Sequence, residues 1–138
     1  MLPTNAPFDS VGYLPRLARE FYRGLAHVFW THTIEDRGKG WLTRSFHQAF
    51  REIMVHACVR EQLVCPVYSL IPDHFHIMWL GTGAPSDQLR ASPFLRVHLQ
   101  PLLAPFSLQH QAYDHVLTEA ERERGAFMDT VAYIATIR

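Results

Sequence analysis

Two histidines one residue apart, His74 and His76, and a tyrosine far downstream, Tyr133, are the side chains whose types and spacing best suit chemistry. In a strand, residues two apart point to the same side. Within Asp73-His74-Phe75-His76-Ile77-Met78-Trp79, both imidazoles then present one open face, while Phe75, Ile77 and Trp79 can bury on the other. Two neutral imidazoles at that spacing can chelate one divalent ion. The plainer alternative is one histidine hydrogen-bonded in the core and the other solvated. No cysteine pair or neighbouring histidine completes a tetrahedral zinc set. Magnesium or manganese, which keep part of their shell for waters and a phosphate oxygen, suit the pair better. His27, on the first expected strand, is the other histidine able to approach.

Tyr133 falls in a helical pattern in which Phe127, Val131 and Ile134 share a narrow sector. It lies to the flank of that sector, on the side of Asp129, so its hydroxyl can face a groove. A ring that packs while its hydroxyl bonds water is the ordinary alternative. A phenol titrates near pH ~10, so a tyrosine nucleophile at neutral pH needs a metal-polarised phosphate or a nearby base. Tyr113, with polar neighbours, is the competing candidate. Tyr68, on an expected interior strand, reads as structural, and Tyr13 and Tyr22 are lesser rivals.

The elements that must position these residues follow from periodicity and turn chemistry. A first strand is expected over residues 26–34, ending in the turn Asp36-Arg37-Gly38-Lys39-Gly40. A helix over residues 46–63 is marked by Phe46, Phe50, Ile53 and Ala57, with Ser45 and Gln48 as a capping box. Strands over 64–71 and 75–80, joined by Pro72-Asp73, form an antiparallel hairpin. Prolines 85, 93, 101 and 105 allow only short helices, such as residues 93–100 capped by Ser92. A strand over 107–117 precedes one last helix, capped by Thr118 with Glu121 completing a capping box. This order predicts an α+β fold, an antiparallel sheet with helices on one face. Residues 1–20 form an irregular arm and residues 21–138 a single domain.

The bulk composition, 48% hydrophobic and 19% charged over 138 residues, is that of a soluble globular chain. No apolar run reaches the ~18–20 residues of a membrane span, and the N-terminal residues lack the pattern of a secretory leader. A cytoplasmic, nucleoid-associated protein is expected. Cys58 and Cys65 are too few for a disulfide framework and read as buried thiols. Thirteen basic and thirteen acidic side chains cancel, whereas nucleic-acid binders usually carry excess positive charge. Twelve of the thirteen basic residues are arginine, with Lys39 the single lysine. Arginine forks phosphate and stacks on bases, so charge leaves the class of partner open. Trp30, Trp41 and Trp79 are candidate stacking surfaces, with core packing the competing role.

Pro72-Asp73-His74-Phe75-His76 resembles the His-hydrophobic-His motif of HUH endonucleases, in particular the REP-associated tyrosine transposases and their single-tyrosine IS200-like relatives. Tyr22-Arg23-Gly24 leading into His27-Val28-Phe29 resembles the first strand of that family. Ala112-Tyr113-Asp114-His115-Val116-Leu117 resembles its segment before the catalytic helix, and Tyr133-Ile134 that helix's tyrosine-isoleucine pair. The likeness runs in order from about Phe21 to the C-terminus.

The resemblance implies a ferredoxin-like fold and phosphoryl transfer on single-stranded or hairpin DNA from palindromic repeats. His74 and His76 would bind Mg2+ or Mn2+, and Tyr133 would attack in line to leave a 5′-phosphotyrosine and a free 3′-hydroxyl. The family places Asn or Gln four residues after the tyrosine as a further ligand. Here that position is Ile137, which cannot coordinate an ion, and the chain stops at Arg138 where relatives continue into an Asn-Pro segment. Either the ligand comes from just beyond a truncated end or the site is incomplete. Three functions are therefore in play: a metal-dependent DNA nickase and strand transferase, a non-cutting hairpin-binding module, and a small nucleotide hydrolase with no use for Tyr133. The active form can be a monomer or a homodimer.

Overall fold

A computed structural model of the chain describes residues 16–136. Four strands, β1 (His27–Thr33), β2 (Leu63–Ile71), β3 (His74–Gly81) and β4 (Tyr113–Val116), build a single sheet in the order β2-β3-β1-β4. Every neighbouring pair is antiparallel. Helix α1 (Arg44–Glu61) connects β1 to β2, and helix α2 (Gln88–Leu103) connects β3 to β4. Both cover the same face, which gives the expected ferredoxin-like α+β arrangement. Two shorter helices follow β4, namely α3 (Glu119–Glu123) and α4 (Ala126–Thr136).

The sheet has two apolar faces of unequal size. Val28, Trp30, Phe75, Ile77 and Trp79 point to the main core, where they meet Phe50 and Met54 of α1 and Leu95 and Leu99 of α2. The alternate residues Phe29, Val67, Met78 and Leu80 point the other way and are covered by Ile134 and Phe127 of α4. The last helix thus lies on the face opposite α1 and α2, an addition to the four-strand, two-helix core.

Helix α1 buries Phe46, Phe50, Met54 and Ala57, recurring three and four residues apart as a one-sided helix requires. Its cap is Thr43, whose hydroxyl accepts the Phe46 N–H at 3.0 Å. The expected Ser45–Gln48 box is not used, because the chain leaves extended geometry at Thr43 and Ser45 is already helical. Gln62, at φ +54°, ends the helix and donates its N–H to the Cys58 carbonyl.

Helix α2 departs most from expectation. It runs through Pro93 and Pro101 as one 16-residue helix, with Asp87 as the cap in place of Ser92. Ala91, Leu95, Leu99 and Leu103 recur every fourth residue and are fully buried. An interior proline costs about 3 kcal/mol, whereas each buried leucine returns about 1.5–3 kcal/mol. The stripe outweighs the breaks.

The expected last helix is two helices. The Thr118–Glu121 capping box is present, but Gly125, at φ +84°, breaks the run before α4. The expected strand over 107–117 pairs continuously only over Tyr113–Val116, with one isolated bridge between Ile34 and Leu108. Strand β2 carries a bulge between Val64 and Val67, spanning Pro66.

Of the expected N-terminal arm, Met1 to Pro15 lie outside the described residues. Arg16 already docks on the domain, pairing with Asp114 at 2.8 Å, and Arg19–Tyr22 form a 3-10 turn. The domain's packing therefore begins before residue 21. Cys58 and Cys65 are free and partly buried. Burial pushes their thiols up to about 11 and about 12, so neither carries a reactive thiolate near neutrality.

Candidate functional site

Strand β3 is central in the sheet and pairs on both sides, which fixes its register firmly. His74 and His76 share the face that also carries Met78, and Phe75, Ile77 and Trp79 are buried behind them. The two imidazole centroids are 4.8 Å apart and their planes nearly perpendicular, at 82°.

Each ring is held through Nδ1 by a different group. His76 Nδ1 is 2.9 Å from the Thr31 hydroxyl, on the residue directly opposite in β1. His74 Nδ1 is 2.6 Å from the Asp73 carboxylate, whose other oxygen meets Arg37 at 3.3 Å. With Nδ1 engaged inside the protein, Nε2 is the nitrogen each ring has for a metal ion, the usual division of labour in ligating histidines.

His76 is 7% exposed, more enclosed than the open face expected from sequence. Burial, with the neighbouring His74 adding to it, lowers its pKa to about 4. The ring is therefore neutral at physiological pH, which is the form that ligates metals.

Tyr133 of α4 lies over this face. Its ring is 6.2 Å from His76 and 6.1 Å from Phe29, and it is 56% exposed. Ile134, the next residue, is fully buried against Met78 and Leu117 and anchors the helix. The flank position read from the helical sector is the one Tyr133 occupies, touching the histidine face on one side and solvent on the other.

The rival tyrosines are placed differently. Tyr113 pairs with Thr31 from the far side of β1, which puts it on the same face but two strands from His76. Tyr68 faces α1, with its ring 5.0 Å from Phe50 and its hydroxyl 2.7 Å from His47. Tyr22 is buried and donates to Asp114 at 2.6 Å. Tyr13 lies outside the described residues.

His27 does not join the pair. It stands four residues from Thr31 along β1, roughly 13 Å at ~3.3 Å per residue, and packs its ring on Phe127 at 5.6 Å. All three tryptophans are buried: Trp30 donates to Gln88 at 2.8 Å, Trp41 to the Gly38 carbonyl at 3.1 Å, and Trp79 to the Met54 sulfur at 3.2 Å. They are core residues and offer no surface for stacking.

Sequence reasoning missed the residues that hold the histidines. Thr31 becomes visible only through the β1–β3 register. Asp73 was read as turn chemistry, although its place just before His74 is a local signal. Phe29, which touches both His76 and Tyr133, was read only as strand.

The donor chemistry, two imidazoles each with Nε2 left for a ligand, fits a divalent ion. Among the described residues no group of three or more His, Cys, Asp or Glu side chains is arranged to hold a metal ion, Asp73 meeting His74 only at Nδ1, and Ile137 lies outside that range.

The overall arrangement of this sheet and its helices is similar to that of transposases of known structure. One is a REP-associated tyrosine transposase bound to a REP hairpin, with a TM-score of 0.65 and 17% identity over 82% of this chain; the match spans 66% of that chain. Another is a candidate transposase from Deinococcus radiodurans R1, with a TM-score of 0.50 and 13% identity over 89% of this chain and 96% of that one. At these identities the likeness is one of fold. No protein-family model matches the chain, and no curated protein does.

Proposed function

We propose that this chain is a transposase-like nickase and strand transferase acting on single-stranded or hairpin DNA, with His74 and His76 as metal ligands and Tyr133 as nucleophile. The observation that carries this reading is the contact between the exposed Tyr133 and the enclosed His76, 6.2 Å between ring centroids. A sheet shared with a transposase seen on hairpin DNA supports the choice of substrate.

Mg2+ or Mn2+ bound at the pair would polarise the scissile phosphate and stabilise the charge it develops. The chain's own residues do the positioning. Thr31 and Asp73 fix the two rings, and Phe29 backs both His76 and Tyr133. The Tyr133 oxygen forms a bond to phosphorus while the bond from phosphorus to the 3′ oxygen breaks. The products are a 5′-phosphotyrosine and a 3′-hydroxyl, with the phenol proton ending on the departing 3′ oxygen. Attack by a 3′-hydroxyl on the phosphotyrosine reverses the step and joins strands.

Labelled hairpin DNA with single-stranded tails, incubated with Mn2+ and run on a denaturing gel, tests the reading. A protein–DNA adduct in the wild type that is lost in Tyr133→Phe supports it. An adduct that persists in that variant overturns the assignment of Tyr133. A second reading, a domesticated module that binds hairpins without cutting, is favoured by the two-ligand donor set among the described residues. Tight hairpin binding with no adduct would select it.

A further inference from the structure

Tyr113 and His115 are alternate residues of β4, so both face the side that carries the histidine pair. Tyr113 pairs with Thr31 and His115 with Phe29, which are the residues touching His76 by hydrogen bond and by ring contact. Both side chains are exposed, Tyr113 at 59%. In the described sheet β4 is an edge strand, paired only with β1, so this aromatic pair is open from the side.

The spacing is that of a clamp. Side chains two apart on an antiparallel strand are separated by roughly 6.8 Å. That is twice the ~3.4 Å spacing of stacked bases, room for one flat ring between two others.

The imidazole wall is held directly, and the strand that carries both rings is fastened from behind. His115 Nε2 lies 3.0 Å from Glu121, and the other oxygen of that carboxylate accepts the Thr118 N–H at 2.8 Å in the capping box of α3. Asp114, between the two rings, points to the opposite face. There it accepts from Tyr22 at 2.6 Å and pairs with Arg16 at 2.8 Å, which fastens the edge strand from behind.

We infer that Tyr113 and His115 grip one unpaired DNA base, stacked between phenol and imidazole, beside the strand that leads the scissile phosphate to His76. The inference rests on the single-strand reading above and deepens it: the clamp requires an unpaired base, and so selects tails and loops over duplex. Stacking on aromatic rings accepts any base, so the clamp recognises single-strandedness and leaves sequence to other contacts. Tyr113 thereby becomes a substrate-holding residue and not the nucleophile.

The test uses the full chain and a DNA hairpin with thymine tails carrying 2-aminopurine at one tail position at a time. Stacking should quench its emission at a single position in the wild type and in Tyr113→Phe, and the quenching should disappear in Tyr113→Ala and His115→Ala. The Kd for the tailed hairpin should weaken about tenfold or more in Tyr113→Ala, with the Kd for a blunt hairpin unchanged. Quenching that survives in both alanine variants overturns the clamp, as does an equal loss of affinity for the blunt hairpin. Loss of the covalent adduct in Tyr113→Phe also overturns it and makes that residue the nucleophile. Quenching without adduct keeps the clamp and removes the cleavage reading, adduct without quenching does the reverse, and neither signal removes both.

Discussion

The Thr31 hydroxyl lies 2.9 Å from Nδ1 of His76, directly across the β1–β3 pair, so one strand sets the orientation of the ring that its neighbour carries. Thr31→Val keeps the shape and removes the partner. A buried nitrogen left unpaired costs about 1–3 kcal/mol, and losing the group that orients a ligand typically costs 10–100-fold in metal affinity. Calorimetric titration with Mn2+ should show that loss, with Thr31→Ser restoring most of it. Unchanged affinity in the valine variant would remove Thr31 from the site.

His74 and His76 should respond differently to truncation. The His74 side chain is 23% exposed, so His74→Ala should change stability by less than about 1 kcal/mol while abolishing Mn2+ binding and adduct formation. His76 is buried and packs on Phe29 and Tyr133, so His76→Ala should cost about 1–3 kcal/mol in stability as well. Denaturant melts alongside the gel assay separate the two effects. Normal cleavage by a folded His74→Ala variant would end the metal role proposed for that residue.

Tyr22 predicts a stability loss at high pH. Burial raises its phenol above the ordinary 10.0, and the Asp114 carboxylate adds to the rise. Folded Tyr22 keeps its proton where the unfolded chain has lost it, so its contribution is complete below about pH 10 and drains away as pH rises further. The Tm gap between wild type and Tyr22→Phe should be steady from neutrality to about pH 10 and narrow above it. A gap that is constant to the alkaline end would mean that the Tyr22–Asp114 bond is not linked to folding.

At the end of β3 the backbone leaves no room for a side chain. A Cβ on Gly81 would come 1.7 Å from the carbonyl oxygen of Gly24, which itself sits at φ +64°. Backbone must move to admit it, so Gly81→Ala should destabilise by about 3 kcal/mol or more. Gly83 meets nothing closer than 3.6 Å, and Gly83→Ala should melt within about 1 kcal/mol of the wild type.

The parts of this molecule that were legible in the sequence are those governed by local periodicity. Alternation around His74 and His76 gave the strand, its buried side and the shared face of the two rings. Thr118 and Glu121 announced their helix start. Helix α2 was hidden because Pro93 and Pro101 are strong local signals, and only the tertiary stripe from Ala91 to Leu103 overrides them. The break at Gly125 was a one-residue cue inside an otherwise continuous pattern. Thr31 and Phe29 could not be read as site residues, because their roles depend on which strands become neighbours.

Pro66 and the bulge beside it bear on how the protein behaves in company. Strand β2 is an outer rim of the sheet, nine residues long and rich in valine and leucine, the kind of rim onto which another chain can add a strand. Proline has no N–H to offer a newcomer, and the bulge bends the rim out of line with a straight partner. The longer of the two rims is thus blunted against aggregation by its own backbone, and the chain can expose an aromatic surface at the other rim without inviting sheet growth at both.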